Sequence, residues 1–322
     1  MAVYTKIFKD DLLTIEKKFN LGKIISFEGI KNGIENTNYL IKTKKKKFIL
    51  TIFEKRVQKK ELPFFMNLMN NLNNKGINCP KPLKNKDNKY LIILRNKPAC
   101  VVSFIDGKDK KTLNDKECYI IGKNIAKLHK ASKNIRLFRK NLLPGNNLGH
   151  LLNSIKFKDK KITANLYDVL KKSLVEIKKE WPRKMPRGII HADLFIDNIF
   201  FKKNKFEGFI DFYFSCNDFF ALEIAICFNA LCFDGSRDNL SFNATKAKNF
   251  MSGYSQLRKL NDSEKKSIKV MSQGSALRFL LTRVFDALNT VEGAIVKVKD
   301  PMEYLVRLEF HKNSKNFEDY FF

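Results

Sequence analysis

The stretch that most constrains this chain is His191-Ala-Asp193-Leu-Phe-Ile-Asp197-Asn198, followed thirteen residues later by Asp211 in Gly-Phe-Ile-Asp-Phe. The apolar run Gly-Ile-Ile leads into it and predicts a strand ending near Asp193, which sets that carboxylate at a cleft. The next five residues form a loop that returns Asn198 to the same cleft. Ile199-Phe-Phe and Phe206 to Phe212 predict two strands around a Lys-Lys-Asn-Lys turn, a hairpin that carries Asp211 back beside Asn198. An amide oxygen and a carboxylate meeting there suit a hard cation such as Mg²⁺, with phosphate and water oxygens filling its remaining positions. A lone His-x-Asp means little, and Asp197-Asn198 alone is compatible with a turn. The full spacing, with apolar strands on both sides, gives the pattern its force.

A site of this kind needs a nucleotide lobe and an acceptor pocket, and 322 residues leave room for both. A hydrophobic fraction of 44% with 12% aromatics excludes a disordered chain. No apolar run approaches the roughly 18 residues of a membrane span. The opening residues lack the charged-then-apolar layout of a signal segment, so no membrane association and a cytoplasmic location are expected. Cys79, Cys100, Cys118, Cys216, Cys227 and Cys232 form no Cys-x-x-Cys pair and mostly sit in apolar segments, which predicts buried free thiols. Four histidines without metal-ligand spacing argue against zinc.

The net charge of +29 raises nucleic-acid binding as an alternative. Yet the basic residues are 51 Lys against 11 Arg, and Arg is the fork that phosphates and guanine edges favour. The lysines are scattered, apart from Lys44 to Lys47, and no helix-turn-helix, zinc-finger or RNP pattern occurs. A solvated basic surface, with no specific nucleic-acid partner, is the reading we adopt.

Periodicity predicts a helix at 9–19, strands at Ile24–Ile30, Tyr39–Lys42 and Lys47–Phe53, and a helix at 59–75 with Pro63 in its first turn and Gly76 at its end. Strands follow at Tyr90–Leu94 and Ala99–Phe104, then a hinge-like Ile105-Asp-Gly. Beyond it the chain reads as mainly helical, at 115–132, 148–155, 162–180, 219–233, 244–257, 262–288 and 301–312, interrupted by the strands of 187–212. The expected architecture is α+β and two-lobed: a small antiparallel-sheet lobe for nucleotide at 1–104, and a larger, mainly helical lobe for catalysis and acceptor binding at 105–322.

Gly33-Ile-Glu-Asn36-Thr37-Asn38, between two predicted strands, offers backbone N–H groups to phosphates, or is a plain turn. Kinases carry a phosphate-pairing Lys in the third strand and a Glu on the next helix. Here Thr51 holds the Lys position, Glu61 opens the helix, and Lys47 or Lys55 are the substitute cations within reach.

At this point the chain resembles the aminoglycoside-phosphotransferase-like kinases, which share the protein-kinase-like fold, and within them the homoserine kinase branch. The resemblance runs over nearly the whole length. It is carried by Gly29-Ile-Lys-Asn-Gly-Ile-Glu-Asn-Thr-Asn-Tyr, Leu50-Thr-Ile-Phe-Glu, Glu61-Leu-Pro-Phe-Phe, Lys97-Pro-Ala-Cys and Ile125-Ala-Lys-Leu-His-Lys-Ala-Ser. It continues through the His191–Asn198 stretch, Ile210-Asp-Phe-Tyr-Phe, Gly274-Ser-Ala-Leu-Arg-Phe-Leu-Leu-Thr-Arg-Val-Phe-Asp and Lys299-Asp-Pro-Met-Glu-Tyr-Leu. In that branch Thr at the third-strand position is the usual pattern. One departure is Leu222-Glu223-Ile-Ala, where the wider family often has Asp; Glu223 would fill that role.

The resemblance implies MgATP-dependent phosphorylation of L-homoserine to O-phospho-L-homoserine. Asp193 would be the base, Asn198 and Asp211 the Mg²⁺ ligands, and His191 a brace for the loop more than a chemical group. Asp197 supports a ligand or makes a turn. Gly33, Asn36, Thr37, Asn38, Thr51 and Glu61 would form the nucleotide side, with Asn36 and Asn38 facing phosphate or substrate. A zwitterionic acceptor needs a cation for its carboxylate. Arg278 is our choice; Arg283, five residues on, lies about 140° away around a helix. Arg283 and Asp286 share a face, where they bind substrate or pair with each other. His129 is expected in the core. The alternatives are another small-molecule kinase of the same fold, acting on an aminoglycoside, choline or methylthioribose, or a basic nucleic-acid-binding protein.

Overall fold

Two units of the chain each build their own core, the first a sheet with helices and the second mainly helical. In a computed structural model the described residues are 4–30, 36–54, 58–143, 148–155, 166–289 and 300–321. The first unit runs to Lys108 and takes in Phe200–Lys202 and Glu207–Tyr213; the second comprises the remainder.

In the first unit, β1 (Ile24–Gly29), β2 (Thr37–Thr43), β3 (Lys47–Ile52), β4 (Leu91–Leu94) and β5 (Lys97–Ser103) form an antiparallel sheet in the order β1-β2-β3-β5-β4. The alternation of β2 and β3 puts Tyr39, Ile41, Phe48, Leu50 and Ile52 on one face, where they pack with Ile15 and Phe19 of α1 (Lys9–Phe19). Asp11 accepts a bidentate pair from Arg95, closing the outer end of that core. α2 (Leu62–Asn74) follows a 3₁₀ turn at Lys59–Glu61; Pro63 lies in its first turn, and Gly76, at φ 73°, takes the left-handed conformation that ends it.

In the second unit, α3 (Asp115–Ser132) starts where Asn114 and Glu117 make a reciprocal capping box, each side chain accepting the other's backbone N–H at 2.9 Å. α4 (Gly149–Ile155) and α5 (Leu166–Glu180) come next, then β6 (Arg187–Ile190), the β7–β8 hairpin (Ile199–Lys202, Lys205–Phe209) and β9 (Cys216–Phe219), which pairs antiparallel with β6. α6 (Phe220–Leu231), the short pair β10 (Phe233–Asp234) and β11 (Ser241–Phe242), α7 (Ala244–Ser255), α8 (Asp262–Asn289) and α9 (Met302–Asn313) complete it. Nearly every residue of α6 is buried, so it forms the centre of this unit, packed on α8.

Two expectations change. The strand expected over Phe206 to Phe212 ends at Phe209, because Asp211 adopts φ 61° and a 3₁₀ turn at Phe212–Phe214 follows. The strand Cys216–Phe219 was not expected: Asn217 and Asp218 disguise it, yet Asn217 accepts from Arg139 N and Asp218 from Asn141. The start of the helix expected at 162–180 lies outside the described residues before Leu166. All six cysteines are buried and free. Among the described residues no helix is long and apolar enough to cross a membrane.

Candidate active site

β6 delivers its chain into the interior of the second unit, where His191 is fully buried. Ala192 then turns at φ 66°, a left-handed conformation that an alanine adopts only under constraint. The constraint is visible on both sides of its peptide. Glu223, fully buried on α6, accepts the His191 N–H with one carboxylate oxygen and the Ala192 N–H with the other, the latter at 3.0 Å. From α8, Arg278 Nη1 donates to the Ala192 carbonyl at 3.0 Å. A charge-assisted bond on each side holds the loop from which Asp193 projects.

The loop then closes on itself. Phe195 N and Asn198 Nδ2 both donate to the Asp193 carbonyl, at 3.0 and 2.8 Å, and Asn198 N donates to Phe195 O. Asp197 lies in the 3₁₀ turn Ile196–Asn198. Because the Asn198 amide nitrogen points at that carbonyl, its Oδ1 is turned the other way, as a cation ligand requires.

Behind Glu223 stands His129, buried in α3 as expected, with Nε2 4.0 Å from Glu223 Oε2 and Nδ1 2.8 Å from the Tyr254 hydroxyl. That hydroxyl accepts from Arg258, which also pairs with Glu264. Burial pulls the His129 imidazole below its usual range, against the pull of Glu223, so it is neutral.

On the nucleotide side, Gly33 and Lys55 lie outside the described residues. Asn36, Thr37 and Asn38 begin β2 and are tied down. Thr37 Oγ1 donates to Glu54 and accepts from the backbone N–H of Tyr4 and Thr5; Glu54 also binds Thr5 and Lys97. The Glu54 backbone N–H donates to Asn36 Oδ1 at 3.4 Å. These bonds outweigh burial and hold the Glu54 carboxylate below its ordinary range. Thr51, almost wholly buried, donates to Asn38 Oδ1 at 2.8 Å. Glu61 ends the 3₁₀ turn before α2. Lys47 lies 5.3 Å over the Phe104 ring, four positions along β3 from Thr51. At about 3.3 Å per residue that is roughly 13 Å away, so Lys47 does not stand in at the Thr51 position.

Asp211 sits in the first unit, just past β8, and Asp193, Asn198 and His191 in the second. Of the acceptor-side residues, Arg278 is nearly buried over the Phe279 ring. Arg283 pairs with Glu303 at 3.0 Å and donates to the Asp300 carbonyl, and Asp286 is exposed on the same helix. Sequence reading overlooked Tyr213. The only sign of it was a hydroxyl-bearing ring two positions after Asp211, inside an otherwise all-Phe run.

Residues 26–260 match the model of a family described as phosphotransferase enzyme family. Among curated proteins, the chain is 42% identical over 97% of its length to a homoserine kinase of Parvibaculum lavamentivorans, covering 96% of that protein. It is 40% identical over 99% of its length to a homoserine kinase of Agrobacterium fabrum, covering 98% of that protein. Among solved structures, an amicoumacin kinase bound to AMP-PNP superposes with a TM-score of 0.69 at 16% identity, over 97% of this chain and 93% of that one. A Plasmodium vivax ethanolamine kinase gives 0.61 at 20% identity, over 89% and 82%. At such identities these structures speak for the fold alone.

Proposed function

The chain belongs to the phosphotransferase enzyme family, and from that premise we propose that it transfers the γ-phosphoryl group of ATP to the side-chain hydroxyl of L-homoserine, giving ADP and O-phospho-L-homoserine. The observation that carries the acceptor is the likeness, along almost the entire chain, to proteins named homoserine kinase.

Asp193 is the base. As the bond from phosphorus to the ADP oxygen breaks and the bond to the acceptor oxygen forms, the hydroxyl proton passes to its carboxylate. With a loose transition state, the enzyme's contribution is mostly position. Glu223, Arg278 and Asn198, all bonded to the backbone of residues 191–193, supply it. His191 braces that turn from inside. Asn198 and Asp211 would hold Mg²⁺, their hard-oxygen donors matching the ion and the Asn198 amide being already oriented for it. When bound, Mg²⁺ neutralises charge on the phosphate oxygens. Gly33, Asn36, Thr37 and Asn38 offer backbone N–H groups to the phosphates, with Thr51 and Glu61 supporting that end of the sheet.

Arg278 uses one of its five N–H donors on Ala192, which leaves a planar face for the homoserine carboxylate. Acceptor binding and the posture of the catalytic loop then depend on one guanidinium. Asp286 is the carboxylate we assign to the amine, and Arg283, through Glu303, supports that part of α8. Incubation with MgATP and homoserine, followed by ³¹P NMR, should yield one new phosphomonoester at the cost of the ATP γ signal. ATP loss with no phosphomonoester would sink the proposal.

A further inference from the structure

The third-strand position that a Lys occupies in protein kinases holds Thr51 here, and the structure gives that Thr a partner in the first unit. We propose that Thr51 and Tyr213 form a positioning pair that ties the strand leaving the phosphate loop to the segment carrying Asp211, in place of a cation–carboxylate pair. Thr51 lies opposite Asn38 on β2 and Cys100 on β5 in the sheet register. Its hydroxyl donates to Asn38 Oδ1 at 2.8 Å and is hydrogen-bonded to the Tyr213 side chain. The Tyr213 oxygen also lies 4.0 Å from Cys100 Sγ. The donors fall into one order: Tyr213 to Thr51, Thr51 to Asn38.

The Tyr213 ring is fixed as well as its hydroxyl. Phe53 meets it edge-on, with centroids 5.1 Å apart, and Phe65 of α2 does the same at 5.7 Å. Two residues earlier, Asp211 stands at φ 61°, a conformation that persists in a non-glycine residue only where its surroundings over-determine it. On its other side, again two residues away, Phe209 N donates to the Asn78 carbonyl at 3.0 Å. There a Cβ on Gly208 would come within 2.8 Å of the same carbonyl oxygen, so that approach tolerates no side chain. Asp211 is therefore bracketed by an anchor at Phe209 and an anchor at Tyr213, and the second anchor runs on to Asn38. A charged pair would place a fixed cation at this point; a neutral chain supplies position without charge.

The inference rests on the proposed function only for the nucleotide, since the readout is binding of a non-hydrolysable ATP analogue with Mg²⁺ and needs no acceptor. Calorimetric titration of wild type, Tyr213→Phe, Thr51→Val, Thr51→Ser and the Tyr213→Phe/Thr51→Val double variant is paired with thermal unfolding of each ligand-free protein. Tyr213→Phe and Thr51→Val should each weaken binding by about fivefold to tenfold, the loss of one neutral hydrogen bond. The double variant should be no weaker than either single, and Thr51→Ser should bind close to wild type. Unchanged binding in Tyr213→Phe would overturn the inference. So would losses that multiply in the double variant, or that follow the unfolding midpoint across all variants, Thr51→Ser included.

Discussion

Ala192 stands at φ 66°, where its methyl group is crowded, yet Glu223 and Arg278 hold it there by three hydrogen bonds. Glycine takes that conformation without the crowding, which costs an alanine roughly 1–2 kcal/mol, partly offset by the freedom a glycine gains when unfolded. Ala192→Gly should therefore raise stability by about 0.5–1 kcal/mol in chemical unfolding; a lower stability would show that the turn is not strained. Glu223→Gln keeps the shape but can face only one of the two N–H groups with an oxygen. The other becomes a buried donor against a donor, at a cost of about 1–3 kcal/mol, and kcat should fall with KM for ATP little changed. A variant as stable and active as wild type would remove Glu223 from the account. At this scale the sequence was legible wherever spacing alone carried the chemistry, as in Asp193, Asn198 and Asp211. Tyr213 was not legible, because its role depends on a sheet register that brings Thr51 to it from 162 positions away.

Helix ends with a local chemical cause were readable. The Asn114/Glu117 capping box starts α3 at the expected residue, and Pro63 and Gly76 mark the first turn and the end of α2. The crossing of α3 and α7 was not readable, because it depends on two glycines 131 positions apart. A Cβ on Gly122 would stand 2.0 Å from the Phe250 carbonyl oxygen, and one on Gly253 1.9 Å from that of Tyr119. Backbone meets backbone at this crossing, and no side-chain rotation relieves it. Gly253→Ala should cost more than the roughly 1–3 kcal/mol of ordinary overpacking, read as a large drop in the unfolding midpoint. A loss below about 0.5 kcal/mol would mean that the helices separate easily. The β6–β9 ladder escaped notice for a different reason: buried side-chain bonds let the polar pair Asn217 and Asp218 sit in a strand.

For the whole molecule, the charge of +29 gave little guidance, while two buried histidines set its response to pH. Burial and the neighbouring Arg307 push His311 down to about 3, and burial lowers His129. In the unfolded chain both return to about 6.5, so below that pH the unfolded state takes up protons that the folded state refuses. Stability should fall as pH drops from about 6.5, by up to about 1.4 kcal/mol per pH unit for each histidine, before carboxylates such as Glu54 are protonated. His311→Gln should make the decline between pH 6 and 5 shallower by about one histidine's share; an unchanged slope would contradict this. The two-lobed α+β plan was legible because each unit's hydrophobic period is distinct, 2 in the sheet and 3.6 in the helices. The most direct test of the central claim is ADP release with MgATP across homoserine, serine, choline, methylthioribose and an aminoglycoside, with Asp193→Asn alongside. We predict the highest kcat/KM for homoserine, and a fall in kcat of about 10²–10⁴ in the variant. A higher kcat/KM for any other acceptor, or a fully active Asp193→Asn, would contradict it.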